Sequence, residues 1–262
     1  MRADKVSLYA VGDVIPGRPQ PEYLFELAMP TLKQADILFG QLETPLSEKG
    51  DLQVALGMGT RVPADRVSAL TAAGFNVMSF ASNHTMNWGE QALFETMDVL
   101  ARNKIAVIGV GRNIEEARKP LILERKGTKI GFLAYCSVLP KGYDARHDKS
   151  GAAPLRASTF YEQIDWQTGT PPRIITLADK NDLSAMLDDI KKVRPLVDVL
   201  VLSMHWGVHF VPGVIAMYQK EVGYAAIDAG VDLIVGHHAH ILKGIEVYKG
   251  KVIFYSLCNF VM

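Results

Sequence analysis

Cysteine is scarce in this chain: 262 residues contain two, Cys136 and Cys258. Two cysteines cannot build the disulfide framework of a small secreted domain, and each, beside an apolar run, reads as a buried free thiol. An excess of charge of either sign is also absent. Lys plus Arg equals Asp plus Glu, 28 each, for a formal net charge of zero. That balance removes the usual electrostatic argument for a nucleic-acid partner or an anionic membrane. No apolar run is long enough to span a bilayer, and Met1-Arg2-Ala3-Asp4-Lys5 leads directly into a strand pattern without an apolar leader. The sequence as written therefore predicts a soluble, cytoplasmic protein, or a cell-surface one if an anchor was removed. Repeats, low-complexity tracts and a dividing linker are missing too, so 1–262 reads as one domain.

What is present is apolar and periodic. Apolar residues make up 48% of the chain, enough for a substantial core. Short apolar runs at 6–11, 35–42, 76–81, 105–108, 121–124, 129–135, 197–203, 231–235, 241–248 and 251–256 read as strands. Between them, 23–33, 63–73, 90–103, 182–193 and 214–229 carry helical spacing, with Gly74 and Gly230 as stops. Lys126-Gly127 and Lys249-Gly250 are hairpin signals. Strands alternating with helices, plus two hairpins, predict an α/β architecture with mixed sheets. Residues 47–59 read as a polar, glycine-rich loop. The stretch from Ser137 to Asp179 reads as a long loop covering the substrate, with a mobile tip near 141–150 beside the functional site. Its second half is expected to be anchored by Phe160, Tyr161, Ile164 and Trp166.

The chemistry gathers at strand ends. Gly236-His237-His238-Ala239-His240 puts three imidazoles in four positions at the mouth of an apolar strand. Imidazole is the commonest protein metal ligand, and His238 and His240, two apart on an extended segment, point to one side. Asp13, Glu43, Asn83 with His84, and His205 stand at the ends of four more strands. Sites in α/β sheets form beyond the carboxyl ends of strands. Any one of these residues alone reads as a turn former or a satisfied core histidine; together they point to a metal site. Oxygen donors mixed with imidazole suit a divalent transition metal, Mn, Fe or Zn, and the set exceeds what one tetrahedral ion needs. Two metals bridged by one carboxylate fit better.

Gly12-Asp13-Val14-Ile15-Pro16-Gly17-Arg18, Leu42-Glu43-Thr44-Pro45-Leu46, Ser82-Asn83-His84-Thr85-Met86-Asn87-Trp88-Gly89, His205-Trp206-Gly207 and His238-Ala239-His240 occur in that order. Tyr255-Ser256-Leu257-Cys258-Asn259-Phe260 follows. This series resembles the CapA family of poly-gamma-glutamate capsule synthesis, itself similar to calcineurin-like metallophosphoesterases. The resemblance implies a four-layer α/β/β/α sandwich with the site at one edge of the sheets. It implies that Asp13 binds the first metal, that Glu43 bridges both, and that Asn83, His205 and His238 bind the second. His240 returns to the first. It also implies His84 as general acid and a bridging hydroxide as nucleophile, while Arg18 could hold a substrate anion through its planar fork. The sequence departs from the pattern in places. Ile15 stands where phosphoesterases carry a first-site His, Gln41 replaces an Asn, and Asn87 replaces a common Asp. His209 stands where Glu is common, and Cys258 replaces a Gly.

The function expected is a metal-dependent hydrolase cleaving a phosphoester or a gamma-glutamyl amide, in a small molecule or a glutamyl polymer. No Gly-rich phosphate cradle is evident. The alternative is a non-catalytic accessory protein of polymer synthesis or export. Retention of all six metal-ligand candidates and of His84 argues against it.

Overall fold

The structure, a computed structural model, describes residues 5–20, 23–53, 59–167 and 169–262. Part of the loop expected at 47–59 lies outside these residues. In chain order the elements are β1 (Leu8–Val14), α1 (Met29–Leu32), β2 (Ile37–Leu42), α2 (Val67–Ala73), β3 (Val77–Ser79), α3 (Gly89–Arg102), β4 (Ala106–Ile108), β5 (Val110–Gly111) and α4 (Ile114–Ala117). They continue with β6 (Leu121–Arg125), β7 (Thr128–Cys136), β8 (Gly151–Ala152), β9 (Ala157–Glu162), β10 (Arg173–Ala178), α5 (Lys180–Val193), β11 (Val199–His205), α6 (Met217–Asp228), β12 (Leu233–His237), β13 (Ile245–Tyr248), β14 (Lys251–Phe254) and β15 (Asn259–Val261).

Two sheets organise the fold. One runs β15-β1-β2-β3-β4 and is parallel throughout. The other runs β13-β14-β12-β11-β7-β6, parallel in the middle and antiparallel at both edges. The antiparallel edges are the two expected hairpins. Lys126 and Gly127, like Lys249 and Gly250, all take positive φ, as tight two-residue hairpin turns require.

Alternation along the strands builds the layers. In β2, Ile37 and Phe39 face the second sheet while Leu38 and Leu42 face outward. In β7, Ile130, Phe132 and Ala134 face the first sheet while Leu133 and Tyr135 face outward. The Phe39 and Phe132 rings stack at 6.0 Å between the sheets. Outside the first sheet lie Leu70 of α2 with Leu93 and Leu100 of α3. Outside the second lie Met186 and Ile190 of α5 with Val222 and Ala226 of α6. The order is thus helices, sheet, sheet, helices. No helix among the described residues is long and apolar enough to cross a membrane.

Several expectations need correcting. The helix expected over 23–33 is regular only at Met29–Leu32. The strand β15 was missed; it pairs in parallel with β1, Asp13 opposite Asn259. The long loop is inverted relative to expectation. Its first half is the anchored part: Tyr143, Ala145, Ala152, Ala153 and Leu155 are buried in the cores. Its polar residues bond away from the histidine cluster, Ser150 to Glu90 at 2.8 Å and His147 to Glu115 at 2.8 Å. Its second half is a two-stranded hairpin, β9 with β10, in which Phe160, Tyr161, Ile164 and Trp166 are exposed. Small residues at 152–153 let the backbone pack closely, whereas the two strands of the hairpin leave its aromatics without a covering layer.

Candidate metal centre

The carboxyl ends of β1, β2 and β3 in one sheet and of β11 and β12 in the other open onto one shared edge. Asp13 lies near the end of β1, Glu43 follows β2, and Asn83 with His84 follows β3. His205 ends β11, and His238 and His240 follow β12. Six of these are buried or nearly so; Asp13, Glu43 and His205 are completely buried, and His84 sits half-buried at the mouth.

Close backbone approach assembles them. A side chain on Gly12 would run into the Cys258 carbonyl oxygen 1.9 Å away, so glycine lets β1 meet the closing segment, where Asp13 N–H donates to that oxygen at 2.9 Å. After β12 the chain turns sharply. His238 and His240 take φ of +88° and +55°, a region that disfavours side-chain-bearing residues and stores strain at functional sites. Cys258 also has positive φ, +64°, where a glycine would sit without strain.

The donor atoms converge. His205 Nε2 is 2.7 Å from Asn83 Oδ1 and 3.4 Å from Glu43 Oε1. His240 Nδ1 is 3.7 Å from Asp13 Oδ2. Two groups of ligand-type atoms lie within 4.8 Å of one another, Glu43 with His205 and His238, and Asp13 with Glu43 and His240. Glu43 belongs to both. Asp13 Oδ1, Glu43 Oε1, His205 Nδ1 and His238 Nδ1 are buried without a hydrogen-bond partner. An unsatisfied buried polar atom costs about 1–3 kcal/mol. The orphaned Glu43 Oε1, 3.4 Å from the His205 ring and shared by both donor groups, suits a divalent cation.

Electrostatics point the same way. Burial raises the Glu43 pKa, opposed by His84 and by the Ser82 hydroxyl. Burial lowers His205 to about 3 and His238 well below the usual range, with neighbouring imidazoles adding to the effect at both. Neutral imidazoles with free lone pairs are the form that binds metal. His84 is lowered by burial, with the Glu43 carboxylate opposing. Its Nδ1 lies 2.7 Å from the Asn87 side-chain amide, and its Nε2 lies 3.8 Å from Glu43 Oε1.

Arg18 is exposed in the turn after β1. Other residues enter that sequence reasoning did not propose. His209, marked in the sequence only as a histidine where Glu is common, stacks on His238 at 3.8 Å and on His240 at 5.1 Å between ring centres. Ser82 donates to Glu43 Oε2 at 2.8 Å. Asn259 Oδ1 accepts from His240 Nδ1 at 2.6 Å, leaving Nε2 of that ring free to bind. His237 is fully buried, with neither ring nitrogen bonded.

A family model described as bacterial capsule synthesis protein PGA_cap matches residues 7–262. The PGA biosynthesis protein CapA of Bacillus subtilis is 29% identical over 268 residues, covering 98% of this chain and 63% of that protein. The chain therefore spans somewhat less than two thirds of this relative. A crystal structure of a novel phosphatase from Mycoplasma pneumoniae matches with a TM-score of 0.54 and 15% identity, covering 97% of this chain and 72% of that one. The calcineurin-like phosphoesterase YfkN from Bacillus subtilis matches with a TM-score of 0.50 and 12% identity, covering 94% and 75%. At such identities the likeness is one of fold, and that fold is the calcineurin-like phosphoesterase sandwich.

Proposed function

The chain belongs to the bacterial capsule synthesis protein family PGA_cap, and from that premise we propose that it is a metal-dependent hydrolase serving poly-gamma-glutamate or capsule biosynthesis. Glu43 carries the reading. Its Oε1 is buried without a partner, and its carboxylate belongs to both groups of converging donors. A carboxylate held there uncompensated is costly, and a cation on either side removes the cost.

In this centre Asp13, Glu43 and His240 would hold one divalent cation, and Glu43, Asn83, His205 and His238 would hold a second. Mixed oxygen and imidazole donors suit Mn²⁺, Fe or Zn²⁺. When bound, such a pair supplies Lewis acidity and a water acidic enough to act as a nucleophile near neutral pH. The chain's own groups supply the rest. The Ser82 hydroxyl fixes the rotation of the Glu43 carboxylate through its 2.8 Å bond. Asn87 orients the His84 ring so that Nε2 faces the centre. From there His84 delivers a proton to the leaving atom. Arg18, with its planar fork, takes an anionic group of the substrate. The substrate is a phosphoester or a gamma-glutamyl amide, in a small molecule or a glutamyl polymer.

The test is reconstitution with Mn²⁺ or Zn²⁺ and elemental analysis, followed by a hydrolysis screen over phosphoesters and gamma-glutamyl amides. About two equivalents of metal and turnover on one class are expected. A single equivalent would mark the loss of an imidazole at Ile15. A protein that takes up no metal is instead the non-catalytic accessory.

A further inference from the structure

His237 is an expensive residue where it stands. It continues the face of β12 that carries Leu233 and Val235 into the layer between the sheets, and its ring meets Phe39 with centres 6.1 Å apart. Its backbone is fixed by pairing opposite His205 and by the Trp206 N–H at 3.3 Å. The side chain is completely buried, and neither Nδ1 nor Nε2 has a hydrogen-bond partner. An apolar residue of similar size would suit such a layer better, since a buried polar group without a partner is destabilising.

One atom explains the imidazole. Nδ1 lies 3.5 Å from Asp13 Oδ1, an oxygen that is itself buried and unpartnered. The other oxygen of Asp13 is engaged elsewhere. Oδ2 accepts the His238 N–H at 3.3 Å and faces His240 Nδ1 at 3.7 Å. The two oxygens are thus divided, one turned down toward the inter-sheet layer and one up toward the donors at the mouth. His237 lies outside both groups of converging donors. It therefore stands behind the centre rather than in it.

We propose that His237 is a positioning residue: its Nδ1–H holds Asp13 Oδ1, so that Oδ2 is presented to the cation shared with Glu43 and His240. A carboxylate acts only as an acceptor, so the ring must present a proton at Nδ1. Partners behind a ligand typically account for about 10–100-fold in metal affinity. The inference rests on the hydrolase reading above. It adds a residue that touches neither cation nor substrate.

Calorimetric titration of the metal-free full chain with Mn²⁺ tests it, comparing wild type with His237→Leu, His237→Asn and His237→Gln. The Asn amide nitrogen reproduces Nδ1, whereas that of Gln reaches toward Nε2. Leu and Gln should weaken one of the two equivalents by about 10–100-fold and leave the other unchanged, while Asn keeps wild-type affinity. If His237→Leu binds both equivalents as tightly as wild type, the inference falls and the hydrolase reading stands. If Asn is as weak as Leu and Gln, the Nδ1–H is not what matters and the inference falls. Should Leu fail to fold, the Asn and Gln pair decides alone. A wild type that binds no metal removes both readings.

Discussion

The two ends of the parallel strands treat carboxylates in opposite ways. At the amino ends, Asp232 and Asp36 are satisfied. Asp232, just before β12, accepts from Leu200 N–H at 2.9 Å, Arg194 at 2.6 Å and Lys251 at 2.6 Å. Asp36, just before β2, accepts from Ser7 N–H at 2.8 Å and pairs with Lys126 at 2.9 Å. At the carboxyl ends, Asp13 and Glu43 are more deeply buried and meet imidazoles but no Lys or Arg among the described residues, and Glu43 Oε1 has no hydrogen-bond partner. The same residue types therefore serve opposite purposes. One end spends its carboxylates on the fold, and the other withholds them for a ligand.

The sharpest way to break this contrast is to remove one carboxylate from each end. Glu43→Ala should lose both equivalents of metal and all turnover, while Asp232→Ala keeps its metal; elemental analysis reads the difference. His205→Ala and His238→Ala should each lower metal content. Should Glu43→Ala still load fully, the carboxyl-end carboxylates are not reserved for metal.

The next largest effect separates ligands from the proton donor within the carboxyl end. His84→Ala should retain metal and lose about 10²–10⁴-fold in kcat. An unchanged kcat on the best substrate would take His84 out of the acid role.

At the amino end the effect is on stability and depends on pH. Burial alone would raise the Asp232 pKa, but Lys251, the Leu200 N–H and Arg194 together hold it below the usual carboxylate range. A depressed folded pKa gives stability that is fully present above the unfolded value and is lost as pH falls through the folded one. Asp232→Asn should therefore cost about 1–3 kcal/mol at pH 7, and the gap to wild type should close on acidification. Denaturant titrations at pH 7 and near pH 3 that show the same gap would contradict this.

The smallest effect concerns the long connection. Trp166→Ser, in the exposed hairpin, should change stability by less than about 0.5 kcal/mol. Tyr143→Ala, in the buried half, should cost several times more by the same titration.

Much of this was legible beforehand. Apolar runs located the main strands, and the hairpin dipeptides located the antiparallel edges. All six proposed metal ligands and His84 were picked out at strand ends, and the structure brings them together. Arg18, the remaining candidate, is exposed in the turn after β1. The long connection departs from expectation because a cluster of large apolar side chains in sequence does not by itself anchor a segment. Apolar side chains bury only where a further layer covers them; α6 meets β10 near Ala178 but leaves Phe160, Tyr161, Ile164 and Trp166 uncovered.

His209, Asn259 and His237 could not be assigned from spacing. Each acquires its partner from a distant segment: His209 from His238 and His240, Asn259 from His240, and His237 from Asp13. Which residues lie at strand ends, and which side of each strand is apolar, follow from local alternation and turn chemistry and so are written in the sequence. That the two sheets stack with their carboxyl ends on a common edge emerges from long-range packing alone. Sheet-to-sheet packing brings Asp13 and Glu43 of one sheet against His205, His238 and His240 of the other. It also decided which oxygen of Asp13 faces the mouth, a choice that depends on contacts between β1 and β12 that neither strand encodes alone.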